Sequence, residues 1–254
     1  MTTEIVPADR PGSWLVRIDG MDQSYVDLDD PTRLVFDYVR WIGDVVDVMA
    51  PAGRAMRVVH VGGAGLTLAR YVAATRPRSS QIVLEPDAAL VERVRAEIPL
   101  PPRSGIKVRP VDGRQGLAGV RDGSTDLLVL DAFSRGRVPA DLVTVEAWRE
   151  VARVLGPAGL LVANLTDRAP FPEARRAIAG VRATFADIAL AAEPPTLRGR
   201  RSGNLVVVAG GAVPTRELAE RVARGTAPYR LLDARAVSDS FGGGQPLADP
   251  LPER

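Results

Sequence analysis

The 254-residue chain contains no cysteine, which excludes disulfides and thiolate-held metals together. His60 is its single histidine, so a histidine-rich metal centre is excluded as well and no metal is expected. Lysine is almost missing: Lys107 stands alone, and the other basic side chains are arginines. The formal net charge is +2, and the one basic cluster, Arg198-Gly199-Arg200-Arg201, falls in a loop between two predicted strands. No nucleic-acid partner is expected from that footprint. Aromatic residues make up 5% of the chain, and Trp14, Tyr25, Trp41 and Trp148 stand at spacings of core or half-buried surface positions. Long apolar runs are lacking too. Gly159-Leu160-Leu161-Val162-Ala163 has the length of a strand, far too short to cross a bilayer, and no membrane partner is expected. Met1-Thr2-Thr3-Glu4 has neither the basic start nor the apolar stretch of a signal peptide, so a cytoplasmic location is expected. Chemistry is left to carboxylates, hydroxyls, backbone groups and arginine.

What is present is alternation. Trp14 to Ile18, the dipeptide Asp19-Gly20 and Met21 to Val26 read as a β-hairpin, because Asp-Gly supplies the positive φ angles of a type I′ turn. Asp30-Pro31 then reads as cap and first position of a helix whose apolar stripe is Leu34, Val35, Tyr38, Ile42, Val45, Val46 and Met49. From there strands over 58–61, 81–85, 106–111, 126–130 and 160–165 alternate with helices over 66–75, 87–97, near 116–120, 141–155 and 172–184. Such alternation implies a parallel sheet with right-handed crossovers. The last strands, 186–191 and 204–209, are joined without a helix and should form a hairpin. The expected architecture is thus α/β and class I methyltransferase-like (Rossmann-like): a seven-stranded, mostly parallel sheet with one antiparallel strand, preceded by a small N-terminal β-hairpin element. The boundaries expected are 1–30 for the hairpin element, 31–211 for the main domain, and 212–254 for a capped helix (Thr215 to Arg224) and a loosely ordered or surface-packed tail.

Ligands of such sheets sit beyond the carboxyl ends of the strands. The first of these strands runs into Gly62-Gly63-Ala64-Gly65, a glycine turn that opens a helix. The second ends in Glu85, about 20 residues on, where nucleoside sites place the acid that takes the ribose hydroxyls. The third ends in Asp112-Gly113, and the fourth in Asp131-Ala132-Phe133-Ser134. This constellation looks like an S-adenosyl site: Gly62, Gly63 and Gly65 beside the amino-acid end, Glu85 on the ribose, Asp112 and Gly113 at the adenine, Asp131 at the reacting end.

The ordered set resembles the spermidine synthase (aminopropyltransferase) family over about residues 14–210. The resemblance is carried by Ile18-Asp19-Gly20 with Gln23-Ser24, by the glycine turn, by Glu85-Pro86-Asp87, by Asp112-Gly113, and by Asp131 to Ser134 followed by Val138-Pro139-Ala140. It implies decarboxylated S-adenosylmethionine as co-substrate, a small-molecule amine acceptor such as a diamine, and a homodimer. Gln23 joins the donor contacts, Phe133 and Ser134 fall at the acceptor, and Asp131 matches the family's catalytic aspartate. A protonated diamine is a dication that carboxylates attract, one amine must lose a proton before attack, and a sulfonium leaving group needs no acid. The chain departs from the family pattern at three places: Ala64-Gly65-Leu66 where an aspartate lies between glycines, Ser134-Arg135 where a second aspartate lies, and Thr32-Arg33-Leu34-Val35 in place of a Tyr-His-Glu segment. Arg33 or Arg135 would repel a diamine if it faced the pocket.

Two other readings stand beside this one. A methyltransferase would use S-adenosylmethionine itself, with Asp131 and Phe133 positioning an acceptor and Arg33 or Arg135 holding an anionic one. A non-catalytic protein would keep the fold and bind the S-adenosyl ligand without transferring from it.

Overall fold

A computed structural model describes residues 2–225 and 229–250. Residues 251–254, which close the proline-rich tail, lie outside the described residues. The fold is α/β, with a large, mostly parallel sheet that includes a few antiparallel strands and a separate three-stranded antiparallel sheet at the N-terminus. The chain divides into two compact units, Met1–Gly113 and Arg114–Arg254.

The first unit opens with β1 (Thr3–Pro7), β2 (Ser13–Ile18) and β3 (Met21–Asp27), paired antiparallel in that order. The hairpin between β2 and β3 turns at Asp19 (φ 49°) and Gly20 (φ 79°), as the Asp-Gly dipeptide requires. The strand β1 lacks a clear alternation in the sequence and gains its place only by pairing, Val6 against Leu15 and Ile5 against Val16. Ile5, Val16 and Val26 pack with Leu66, Val83, Leu90, Val94 and Ile98, so the small sheet shares a core with the strands and helices that follow it in the unit.

The first helix, α1 (Asp37–Met49), starts later than Asp30-Pro31 suggests. Asp30 caps a turn rather than a helix: its carboxylate accepts from the Thr32 N–H (3.1 Å) and hydroxyl (2.5 Å), and its carbonyl accepts from the Arg33 N–H. Ile42, Val45 and Val46 of the predicted stripe are buried, Tyr38 and Met49 are half-buried, and Val39, outside the stripe, is buried as well. Then follow β4 (Arg57–Val61), α2 (Thr67–Thr75), β5 (Ser80–Leu84), α3 (Ala88–Glu97) and β6 (Ile106–Arg109). The strand β5 pairs parallel with β4 on one side and β6 on the other. Asp87 caps α3, its side chain accepting from the Leu90 N–H at 2.9 Å.

His60, on β4, is wholly structural. Its Nε2 lies 2.9 Å from the Gln81 Oε1, and the Gln81 Nε2 donates to the Ala69 carbonyl. Burial pulls its pKa from 6.5 down to about 4, against the smaller raising effect of Gln81. Above pH 6.5 the ring is neutral folded or unfolded and stability is unaffected. Between pH 6.5 and about 4 the unfolded chain takes up a proton that the folded one refuses, so stability falls with pH. Urea denaturation across that window is expected to show a loss approaching about 3 kcal/mol attributable to this residue. A His60→Gln variant should lack that part of the acid sensitivity; the same decline in both proteins would refute the assignment.

After α4 (Gly113–Ala118), the second unit runs through β7 (Thr125–Leu130), α5 (Val145–Val154), β8 (Leu155–Asp167), α6 (Pro172–Thr184), β9 (Asp187–Ala192), α7 (Pro194–Leu197), β10 (Gly203–Gly210), α8 (Thr215–Arg224), β11 (Arg230–Leu232) and α9 (Ala234–Phe241). The strands β7 and β8 are parallel, and β10 is antiparallel to both β8 and β9. Leu160 to Leu165 and Leu205 to Ala209 are buried throughout, which is why these stretches read as apolar runs, interrupted only at Asn164. Gly180 on α6 lets the Trp148 indole lie against the helix, since a Cβ there would come within 2.7 Å of the Trp148 Cδ1.

The segment after residue 211 carries more structure than the sequence announces. β11 adds a further antiparallel strand at β9, with Leu231 opposite Ala191, and Asp233 caps α9 through the Ala236 N–H. The chain is then tied down by α6, where Arg175 donates to the Gly242 and Ser240 carbonyls. Farther on, Leu247 bridges to Thr144, and Asp249 pairs with Arg114 at 2.6 Å. Among the described residues no helix is long and apolar enough to cross a membrane.

Candidate functional site

In the first unit Glu85 meets the glycine turn that follows β4. Gly62 has a φ of 88°, Ala64 of 36° and Leu66 of 65°, so left-handed backbone recurs three times in five residues and twice without glycine. Left-handed conformations at non-glycine residues cost of order 1–3 kcal/mol each and persist where surrounding structure holds them. Glu85 is one such holder. Its Oε2 accepts from the Gly63 N–H (3.1 Å) and the Ala64 N–H (3.3 Å), and its Oε1 accepts from the Asp87 N–H (3.1 Å). The carboxylate predicted to face a ribose thus also organises the glycine turn. Three donors leave room for about one more at a carboxylate, so a ligand hydroxyl still fits.

Two of the three glycines are fixed by contacts within the protein. A Cβ at Gly63 would come within 2.7 Å of the Val83 Cγ1, and one at Gly65 within 2.8 Å of both the Ser24 Cβ and the Val26 Cγ2. Gly65 is therefore the point where β3 closes on the turn, and the Ser24 hydroxyl accepts from its N–H at 3.1 Å. Gln23, the neighbouring donor-site candidate, is half-buried on β3. Ser24 was visible in the sequence only as the partner of Gln23; its contact needs the tertiary fold.

Arg70 on α2 was not anticipated. It is 4% exposed, and its guanidinium donates to the carbonyls of Gly65 (3.2 Å), Pro99 (3.0 Å) and Ile98. Burial lowers its pKa to about 10, so it stays charged, holding the turn from below and meeting the carbonyl end of α3. The strand β6 ends at Arg109, two residues short of the expected 106–111, so Asp112 lies exposed in the connection to α4, which Gly113 begins.

In the second unit Asp131 directly follows β7 and is half-buried. Leu130 pairs with Ala163, so the register sets Asp131 beside Asn164 of β8, and the Asn164 Nδ2 donates to the Asp131 Oδ1 at 2.9 Å. Asn164 interrupts an apolar strand, which is the signal that identifies it in the sequence. Phe133 is half-buried, whereas Ser134 is exposed and its backbone closes a two-residue turn with Arg137 through bonds of 2.8 and 3.1 Å. Arg135 (φ 51°) and Gly136 (φ 75°) form the tip of that turn. Among the described residues no group of three or more His, Cys, Asp or Glu side chains is placed to hold a metal ion.

No family model matches the chain. A curated relative, the polyamine aminopropyltransferase of Chromobacterium violaceum, is 26% identical over 143 residues, covering 56% of this chain and 53% of that protein. The chain spans about half the length of the curated relatives it matches. Among solved structures, a probable spermidine synthase from Corynebacterium glutamicum has a TM-score of 0.89 at 29% identity, covering 99% of this chain and 94% of that one. The fold is spermidine synthase-like. The fold alone is shared with human methyltransferase-like protein 13, solved with SAH, at a TM-score of 0.61 and 18% identity over 85% of this chain and 97% of that one.

The departures of this spermidine synthase-like chain acquire a physical setting. Arg33 is held by Asp9 at 2.8 Å and lies over the Tyr25 ring at 5.5 Å, and the Tyr25 hydroxyl donates to the same Asp9. Its charge is compensated locally. The second unit also holds a cavity of about 320 Å³ lined by Arg137, Val138, Leu165, Asp167, Glu173 and Leu247 among others. Asp167 faces it with its carboxylate already engaged, accepting from the Arg168 N–H (2.7 Å) and the Ala174 N–H (2.9 Å) at the start of α6.

Proposed function

We propose that this spermidine synthase-like chain transfers an aminopropyl group from decarboxylated S-adenosylmethionine to a small amine. The likeness to the probable spermidine synthase of Corynebacterium glutamicum carries the reading, because it runs through 99% of the chain at 29% identity. Gly62, Gly63, Gly65, Glu85, Asp112, Gly113 and Gln23 are assigned to the donor, Phe133 and Ser134 to the acceptor, and Asp131 to the base. The strained turn and the remaining acceptor capacity of Glu85 support the donor assignment. The chain's own contribution to chemistry is to bind and orient the donor in the first unit and to receive a proton from the attacking amine on Asp131. A sulfonium leaving group departs as a neutral thioether, so positioning and one base suffice. An atypical acceptor is part of the proposal, because Ser134-Arg135 supplies no second carboxylate for the far end of a diamine. By the same resemblance, a homodimer is proposed.

A methyltransferase reading is favoured by one feature: residues 62–66 carry no carboxylate of their own for the ammonium of a decarboxylated donor. Calorimetry with the two donors separates the readings. The decarboxylated form is expected to bind at least about tenfold more tightly, a difference of about 1.4 kcal/mol. Tighter binding of S-adenosylmethionine would replace aminopropyl by methyl transfer, and binding of both without turnover would leave a ligand-binding protein.

A further inference from the structure

Asn164 is 1% exposed and is the lone amide in a strand segment otherwise apolar from Leu160 to Leu165. A buried amide normally has both ends satisfied, because a polar group left without a partner lowers stability. Here one end is satisfied. The Nδ2 donates to the Asp131 Oδ1 at 2.9 Å, while the Asn164 Oδ1 has no hydrogen-bond partner among the described residues. Leucine has the same branched four-atom side-chain shape and would leave no orphaned carbonyl, as its neighbour Leu165 does in the same strand. The residue is therefore poorly explained by packing, and its satisfied end is directed at Asp131.

We propose that Asn164 is the positioning residue for the proton-accepting carboxylate, an inference that rests on the assignment of Asp131 as base. The Asn164 N–H fixes the orientation of Asp131 and favours its ionised form, since a hydrogen bond donated to a carboxylate stabilises the charge. In the transfer step the amine nitrogen bonds to the aminopropyl carbon as the carbon–sulfur bond breaks. The electron pair of that bond stays on sulfur, the sulfonium becomes a neutral thioether, and the amine proton passes to the oriented Asp131. Parallel pairing of β7 and β8 places both residues at the same level of the sheet, so the orientation is built into strand register rather than into a loop.

The test uses the full chain with Asn164→Leu, which keeps the branched shape, and Asn164→Ser, which keeps polarity but cannot reach Asp131. Proteins labelled with 13C at aspartate carboxyls are titrated by NMR without ligand, the Asp131 signal being identified by its loss in Asp131→Asn. Both variants are expected to titrate Asp131 at a higher pH than the parent, and Asn164→Leu should melt no lower than the parent. Thioether release from the decarboxylated donor should fall at least about tenfold in kcat, with donor affinity within about twofold. An unshifted titration overturns the proposal, as does failure of both variants to fold, which would make Asn164 structural. Retained turnover in Asp131→Asn would instead remove the base assignment itself, a result distinguishable from an inactive Asp131→Asn beside a fully active Asn164→Leu.

Discussion

Asp131→Asn is expected to lower transfer by about 10²–10⁴-fold, the usual contribution of a positioned general base, while donor affinity stays within about threefold. The substitution is close to isosteric, and the new amide can still accept from the Asn164 Nδ2 through its carbonyl oxygen, so the contact at 2.9 Å survives. What is lost is the ability to take a proton from an ammonium or amine. Thioether release under saturating donor, compared with calorimetric donor affinity and the thermal midpoint, separates these effects. Turnover near the parent level would reduce Asp131 to a residue that only ends β7. Equal losses in affinity and rate would move it into the donor site.

Glu85→Ala is expected to weaken S-adenosyl binding by about 10–100-fold, or about 1.4–2.8 kcal/mol, and to destabilise the fold at the same time. The second effect follows from geometry that the sequence does not reveal: the carboxylate accepts from the N–H groups of Gly63, Ala64 and Asp87. Deleting it leaves these donors without their acceptor beside two non-glycine residues in left-handed conformation. A loss of about 1–3 kcal/mol in urea denaturation is expected. Glu85→Gln tells the roles apart, because its amide oxygen can still serve the turn while the charge-assisted bond is weakened. It should recover most of the stability and part of the affinity. Unchanged S-adenosyl affinity in Glu85→Ala would remove the ribose assignment and leave Glu85 as a brace of the turn.

The strands β4, β5, β7 and β10 and the helices α2, α3, α6 and α8 were legible in the sequence to within a residue or so, because their apolar periodicity and caps are local. The start of α1 was not, because Asp30-Pro31 serves a helix cap and a tight turn equally well, and the Thr32 hydroxyl settled the choice. The strands β1 and β11 were missed for a common reason. Short segments such as Arg230–Leu232 have little propensity of their own and become strands by pairing, here with Leu190 to Ala192. Of the candidate site, the strand-end positions Glu85, Asp112 and Asp131 were readable by counting from the glycine turn. Their partners were not.

By itself the sequence determined the absence of thiolate chemistry, the α/β alternation and the order in which acids close successive strands, because each depends on residue type and spacing along the chain. Only the tertiary structure decided that Gly63 and Gly65 are required by the side chains of Val83, Ser24 and Val26, that Glu85 braces the turn it follows, and that Asn164 meets Asp131. Those contacts join residues 20 to 41 positions apart. Strand register and sheet packing set them, and neither is written in any local stretch of sequence.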